Sequence, residues 1–302
     1  DYLRLADGLR FNAIPGPQDT LLSQAPVVAF GFLNPHPRPI TVQGATLDTH
    51  EQDPTANLPH RSLSLVGGDI ALSGASLKTP GGINLVSVAS QGEVRTGTSG
   101  ITGITPPTLG TITMVNSEVV TGDPSFLNTL SGPIMIRGGQ LVMDHSTISA
   151  SVAPTVNFQP NAGKVILQLN DSIRSNDSHI VSNGGGENQG TVSLEAGQAI
   201  RLTKSTVEVD NVFGDPGTNH GFVALNAPLI NLDGSHVSTT GHVTCCGASG
   251  GGSIAIQANQ FQMKNGSELT TAGAVESGGG NIVINATKNV SIDHSQINAS
   301  GG

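Results

Sequence analysis

Apolar and polar residues alternate with a period of two along most of the chain, in short runs that stop at glycine, asparagine, aspartate or serine. That period is the mark of half-buried β-strands. From about residue 61 onward the runs also recur as a set. Six units open at Gly132, Gly163, Gly190, Gly221, Gly252 and Gly280, with spacings of 31, 27, 31, 31 and 28 residues. Each opening glycine is followed by an alternating pair, as in Val192 and Leu194 or Val223 and Leu225. A small residue comes next (Ala196, Ala227, Ala258, Ala286), then a second pair such as Ile200 with Leu202 or Phe261 with Met263. A serine two positions before a third apolar residue closes the pattern: Ser146 before Ile148, Ser205 before Val207, Ser235 before Val237, Ser295 before Ile297. Looser units are expected to start near Arg61, Gly81 and Gly110.

One such unit cannot bury its own apolar face, so the units must stack, and stacking aligns equivalent positions of every coil. The pattern therefore predicts an all-β fold, a parallel β-helix with three strands per coil over residues 61–302. About eight coils, each some 4.8 Å above the last, make a rod on the order of 40 Å long. Length variation collects just before each opening glycine. The segments 182–189, 210–220, 240–251 and 272–279 are expected to line up along one edge. Residues 1–60 read differently. They hold eight of the 17 prolines, which are kept out of central strands. The expectation is an irregular, extended segment with one buried apolar stretch at Val27-Val28-Ala29-Phe30-Gly31-Phe32-Leu33, flanking or covering the first coils.

Composition narrows the function. The net charge of −9, with 13 scattered basic residues, argues against nucleic acid as a partner. The longest apolar runs fall well short of the roughly 18 residues a membrane span requires, so no membrane insertion is expected. The two cysteines, Cys245 and Cys246, are adjacent. They form either a vicinal disulfide or two free thiols, and with His242 they lack the ligand spacing of a structural zinc site. No metal or cofactor is expected. With no Trp and a single Tyr, the flat aromatic platforms common in sugar sites are missing.

The stretch Leu65-Val66-Gly67-Gly68-Asp69-Ile70-Ala71-Leu72, continued by Leu77-Lys78-Thr79-Pro80-Gly81-Gly82-Ile83-Asn84-Leu85, resembles a known family. So do the opening residues Asp1-Tyr2-Leu3-Arg4-Leu5-Ala6-Asp7-Gly8-Leu9-Arg10-Phe11 and the run Pro39-Ile40-Thr41-Val42-Gln43-Gly44. They are similar to the haemagglutination-activity-type domain of filamentous-haemagglutinin-like exoproteins, in its cyanobacterial form. The likeness covers roughly residues 1–100. It implies a right-handed helix, export by two-partner secretion through an outer-membrane transporter, and a secreted or cell-surface address outside a Gram-negative-type envelope. It also implies a role in adhesion, aggregation or biofilm, with surface glycans or other matrix proteins as partners. Open coil ends, with their unpaired strand edges, are expected to invite pairing with further copies of the chain. The Asn-Pro-Asn motif of that family's secretion signal does not occur here. The chain is therefore expected to be an internal piece of a longer exoprotein.

Parallel β-helices also carry polysaccharide lyases and hydrolases, which need convergent carboxylates. The carboxylate candidates are Asp144-His145 and Asp293-His294, each followed by serine, and Asp233, which stands at the same place in the repeat. Catalytic residues are singular whereas turn residues recur, so these read as corner residues. Asp171, Asp177, Asp210 and Asp215 are scattered over different corners and loops. The candidate interaction edge is the row of loops, with His242, Thr244, Asn183, Asn188, Asp215 and Asn219 as its polar residues. The expectation is a non-catalytic structural or adhesive segment. The alternatives are a carbohydrate-active β-helix enzyme and a pure stalk whose binding lies elsewhere in the parent protein.

Overall fold

The computed structural model describes residues 1–16, 23–49, 62–97, 100–122, 131–151, 163–184, 190–211, 221–241, 243–244, 247–248, 250–273 and 278–300. Among them all regular secondary structure is β, and most of it stacks as a parallel solenoid. The coil opened by Gly190 shows the plan. Its strands Thr191–Ala196, Ala199–Thr203 and Thr206–Asn211 lie on three successive faces, here called first, second and third. The next coil repeats them as Phe222–Asn226, Leu229–Asp233 and His236–Gly241. Each strand pairs in parallel with its counterpart, so Val192 sits beside Val223, Ile200 beside Ile230 and Val207 beside Val237. In four coils one strand turns the first corner without a break: Ile134–Asp144, Lys164–Asn176, Ser253–Lys264 and Ile282–Ile292. For that reason the first two faces form one 13-stranded sheet, while the third is a 9-stranded sheet of its own. Nine rungs make eight steps, about 38 Å at the ordinary interstrand spacing.

Alternation puts Val, Ile and Leu inward from all three faces. Ile136, Leu141, Ile148, Leu167, Ile173, Leu194, Leu202, Val223, Ile230 and Phe261 are all fully buried in one core. Two columns of small residues hold the corners. At the opening glycines the coils approach so closely that a Cβ on Gly252 would overlap the carbonyl oxygen of Gly221, and one on Gly280 that of Gly252. This is why the repeat begins with glycine. At the second corner Ser117, Ser146, Ser178, Ser205, Ser235 and Ser267 are buried in a column. Each hydroxyl donates to a carbonyl just upstream in its own coil, for example Ser205 Oγ to Thr203 O at 2.9 Å. Each also accepts the backbone N–H of the residue one coil earlier, as Ser235 Oγ does from Ser205 N at 3.1 Å. The residue before each serine turns through positive φ: Asn116, His145, Asp177, Lys204, Gly234, Gly266 and His294.

The start of the chain departs from the expected boundary. Ile40–Gln43 and Thr46–Asp48 pair in parallel with Ile70–Ser73 and Ser76–Thr79, so the stack begins at Ile40 rather than near residue 61. The segment ahead of it is also more regular than its prolines imply. Tyr2–Leu5, Arg10–Asn12 and Val27–Phe32 join Gly92–Gly97 and Gly100–Ile104 in a five-stranded antiparallel sheet. Pro26 and Pro39 stand immediately before strands, and the other described prolines of this region lie in connections, so none of them interrupts a ladder. The sheet lies on the outside of the first face, packing Phe30 and Phe32 with Val66, Val86, Val88, Val94 and Ile101. Tyr2 is nearly buried, lies over Gly31, donates to Glu93 Oε1 at 2.8 Å and carries the Arg10 guanidinium 4.2 Å above its ring.

Gly110 does not open a unit. Ile83–Ser87 is a first-face strand and Thr111–Val115 is the second-face strand of the same coil. Between them the chain leaves the solenoid at the first corner as the hairpin of Gly92–Gly97 and Gly100–Ile104. Thr111-Ile112-Thr113-Met114 has the same alternation as a first-face strand, and only the pairing tells them apart.

Candidate functional site

At the third corner, register brings the roots of the expected loop edge together. Val181 pairs with Glu208, Asn211 with Gly241 and Thr240 with Ala272, while the returning ends align through Thr191, Phe222 and Ser253. Asn183 is a structural member of that edge. Its backbone N–H donates to Ser151 Oγ at 3.2 Å and its Oδ1 accepts from Asp210 N at 3.1 Å, tying neighbouring coils together. Thr244 lies in Val243–Thr244, which pairs antiparallel with Gly247–Ala248. The candidates His242, Cys245, Cys246, Asn188, Asp215 and Asn219 lie outside the described residues.

The second corner collects the carboxylates. Register runs Asp144, Asn176, Thr203, Asp233, Lys264 along one outward column, and the pairing of Met263 with Ile292 places Asp293 next. Asn176 Nδ2 donates to Asp144 Oδ1 at 2.7 Å, and this bond holds the Asp144 carboxyl below its ordinary range. The amide of Asn265 and then the ammonium of Lys264 do the same for Asp233. His145 bridges Asp144 at 3.1 Å and Asp177 at 3.3 Å. These groups are exposed or half-exposed and repeat along the rod. Asp171 lies at the first corner and Asp210 at the third, so neither reaches the Asp177 corner. Among the described residues no three His, Cys, Asp or Glu side chains gather as a metal-holding group.

A concave site lies instead at the first corner. The residue five positions after each opening glycine points outward at the end of the first face. Register links these residues in the order Arg137, Gln168, Glu195, Asn226, Gln257, Asn285. In the two preceding rungs the same column holds Val66 and Val86, which the antiparallel sheet covers. Where that cover ends, the column turns polar and a groove begins. It encloses about 470 Å3 between the corner and the inserted segment, lined by Arg137, Gln168, Glu195 and Asn226 against Ile104, Pro106 and Leu109. A second, smaller hollow shares Asn226 with it and is lined by Ala227, Pro228, Gln257, Asn259 and Asn285. Gln168 Nε2 donates to Glu195 Oε2 at 3.2 Å, and the Arg137 Nε–H is buried with no partner among the described residues. The first-face strands that carry these residues are paired in parallel on both sides.

This groove is absent from the sequence reading, which places the interaction edge at the third corner. The recurrence of a long polar residue five positions after each glycine is its signal in the sequence. Tyr2, the single tyrosine, is packed into the N-terminal sheet and is no sugar platform. No protein-family model matches the chain, and no curated protein matches it.

Proposed function

We propose that the chain is a non-catalytic, adhesive segment of a secreted exoprotein, working at the cell surface or in the extracellular matrix. The observation that carries this reading is recurrence. The corner carboxylates Asp144, Asp233 and Asp293 share one stacked column, each with its own local partners. Most glycoside hydrolases set two carboxylates across one bond, a singular arrangement that a column of repeated corner residues does not supply. Continuous backbone ladders give a stiff spacer, and equivalent side chains at every rung offer weak contacts that add through multivalency. The resemblance of residues 1–100 to filamentous-haemagglutinin-like exoproteins supports the same assignment. On that reading the partners are surface glycans, matrix proteins or further copies of the chain, with an outer-membrane transporter acting on the parent protein during export.

The test is attachment. Beads coated with the 302-residue chain should bind cell surfaces or extracted matrix polysaccharide well above albumin-coated beads, with no release of reducing ends or unsaturated sugars. Beads that fail to attach to any of these surfaces, or glycan cleavage that rises with protein concentration, would overturn the assignment.

A further inference from the structure

We propose that the first-corner groove binds an extended, neutral glycan lying parallel to the rod axis. The proposal rests on the adhesive reading and gives it a ligand class and a place. The polar column supplies what ring hydroxyls need. A carboxamide offers two N–H donors and a carbonyl acceptor, a hydroxyl both donates and accepts, and Gln168, Asn226, Gln257 and Asn285 stand at successive or near-successive rungs. The rung spacing, about 4.8 Å, is close to the length of one pyranose unit in an extended chain. From Arg137 to Asn226 the column spans three steps, about 14 Å, room for roughly three sugar units.

The Arg137 end of the groove is apolar. Ile104, Pro106 and Leu109 bound it there and suit the C–H face of a sugar ring, a role that elsewhere falls to aromatic side chains. The Arg137 side chain lines the groove at this end, and its buried Nε–H has no partner among the described residues. Rival polymers fit less well. A peptide strand requires a free sheet edge, and the first-face strands here are already paired on both sides. A polyanion would meet Glu195 in the middle of the column and a chain of net charge −9.

The experiment is titration calorimetry of the 302-residue chain with linear hexasaccharides of β-1,4-linked glucose, xylose, mannose and N-acetylglucosamine, and with hexagalacturonate as the charged control. At least one neutral hexamer should bind with saturation. The double variant Gln168→Ala, Asn226→Ala should weaken it tenfold or more with an unchanged far-UV spectrum. Arg137→Met, which keeps the side-chain stem, should weaken it separately. Shortening the 240–251 loop should leave the affinity as it was. The groove is the wrong site if the double variant binds like the wild type, if only the shortened loop loses binding, or if hexagalacturonate is preferred. Absence of binding by every hexamer also overturns it. Beads that still attach to cells in any of these cases would leave the adhesive assignment standing, so the two failures are told apart.

Discussion

The serine column makes a quantitative demand on a single hydroxyl. Ser205 is 2% exposed and its Oγ serves three groups. It donates to Thr203 O at 2.9 Å, accepts the Ser178 backbone N–H at 3.3 Å and accepts the Ser175 hydroxyl at 3.0 Å. Ser205→Ala removes all of these at once. The Ser175 hydroxyl rotates freely and can turn to another acceptor, but the Ser178 N–H is fixed by the corner. Leaving a buried donor unsatisfied costs about 1–3 kcal/mol, well above the loss of an average exposed hydrogen bond. The cost falls on the coil before the substitution, because the hydroxyl reaches back one rung.

A solenoid of this kind need not unfold in one step, so a single melting midpoint is a blunt instrument. Amide hydrogen exchange at Ser178 is the direct assay. Opening of that amide should become easier by the same 1–3 kcal/mol, which accelerates exchange about 5- to 150-fold. Ser295→Ala is the matched control. Its hydroxyl donates to Asp293 O at 2.8 Å on an exposed rung, and no described backbone N–H donates to it. That variant should change exchange by less than about twofold, as a surface substitution does. Exchange at Ser178 that is unaltered in Ser205→Ala would refute the idea that the column works as a ladder of shared hydroxyls.

Three further perturbations test other parts of the fold. Gly252→Ala forces a methyl onto the Gly221 carbonyl and should destabilise by about 3 kcal/mol, the upper range for overpacking, whereas Gly278→Ala, with open space at its Cβ, should be near neutral in the same denaturant titration. Leu202→Asp places a charge in a fully buried ladder and should cost more than about 4 kcal/mol and melt several coils, while Arg201→Gln on the outward side of the same strand should stay within about 0.5 kcal/mol; equal melting curves would sink the inward alignment. Glu93 ties the N-terminal strand to the hairpin through Arg4 at 3.0 Å and Tyr2, and chiefly the Arg4 bond holds its carboxyl below the ordinary value. A depressed folded value means the stabilisation is complete above the ordinary carboxylate pKa of about 4.3 and is lost as pH falls through the folded one. Exchange of the Tyr2–Leu5 amides should therefore separate wild type from Glu93→Gln at pH 7 and converge at low pH; an equal gap at both would discount the ion pair.

Much of the solenoid was legible because stacking repeats each demand at every coil. The opening glycines, the inward pairs and the corner serines each answer one steric or hydrogen-bonding requirement, and that requirement returns about every 30 residues. Ser117, Ser178 and Ser267 obey the same rule within looser flanking sequence. What could not be read is what differs between coils. Gly110 looks like an opening glycine because alternation is identical on the first and second faces, and only the pairing of Ile83 with Ile134 shows that one coil holds the whole hairpin. Ile40–Gln43 carries the solenoid pattern too, but it stands among prolines and has only Thr46–Asp48 to complete its coil. The groove was hidden for a related reason. Alternation tells inward from outward, and says nothing of which outward column a second sheet will cover.

That last point links the hairpin to function. The column five residues after the opening glycine is valine at Val66 and Val86, where Phe30, Phe32 and Val94 lie over it, and polar from Arg137 onward, where it is open. One backbone position thus serves as core in two coils and as the polar side of a groove in the next ones. The inserted segment contributes both the cover and, through Ile104, Pro106 and Leu109, the wall at which the groove starts. A repeating receptor alone would let a repeating ligand slide by whole rungs without preference. A wall at one end removes that degeneracy, because a glycan lying against it occupies the rungs from Arg137 onward and no earlier. The interruption of the repeat, rather than the repeat itself, is then what turns a uniform rod into one with a defined place for a ligand.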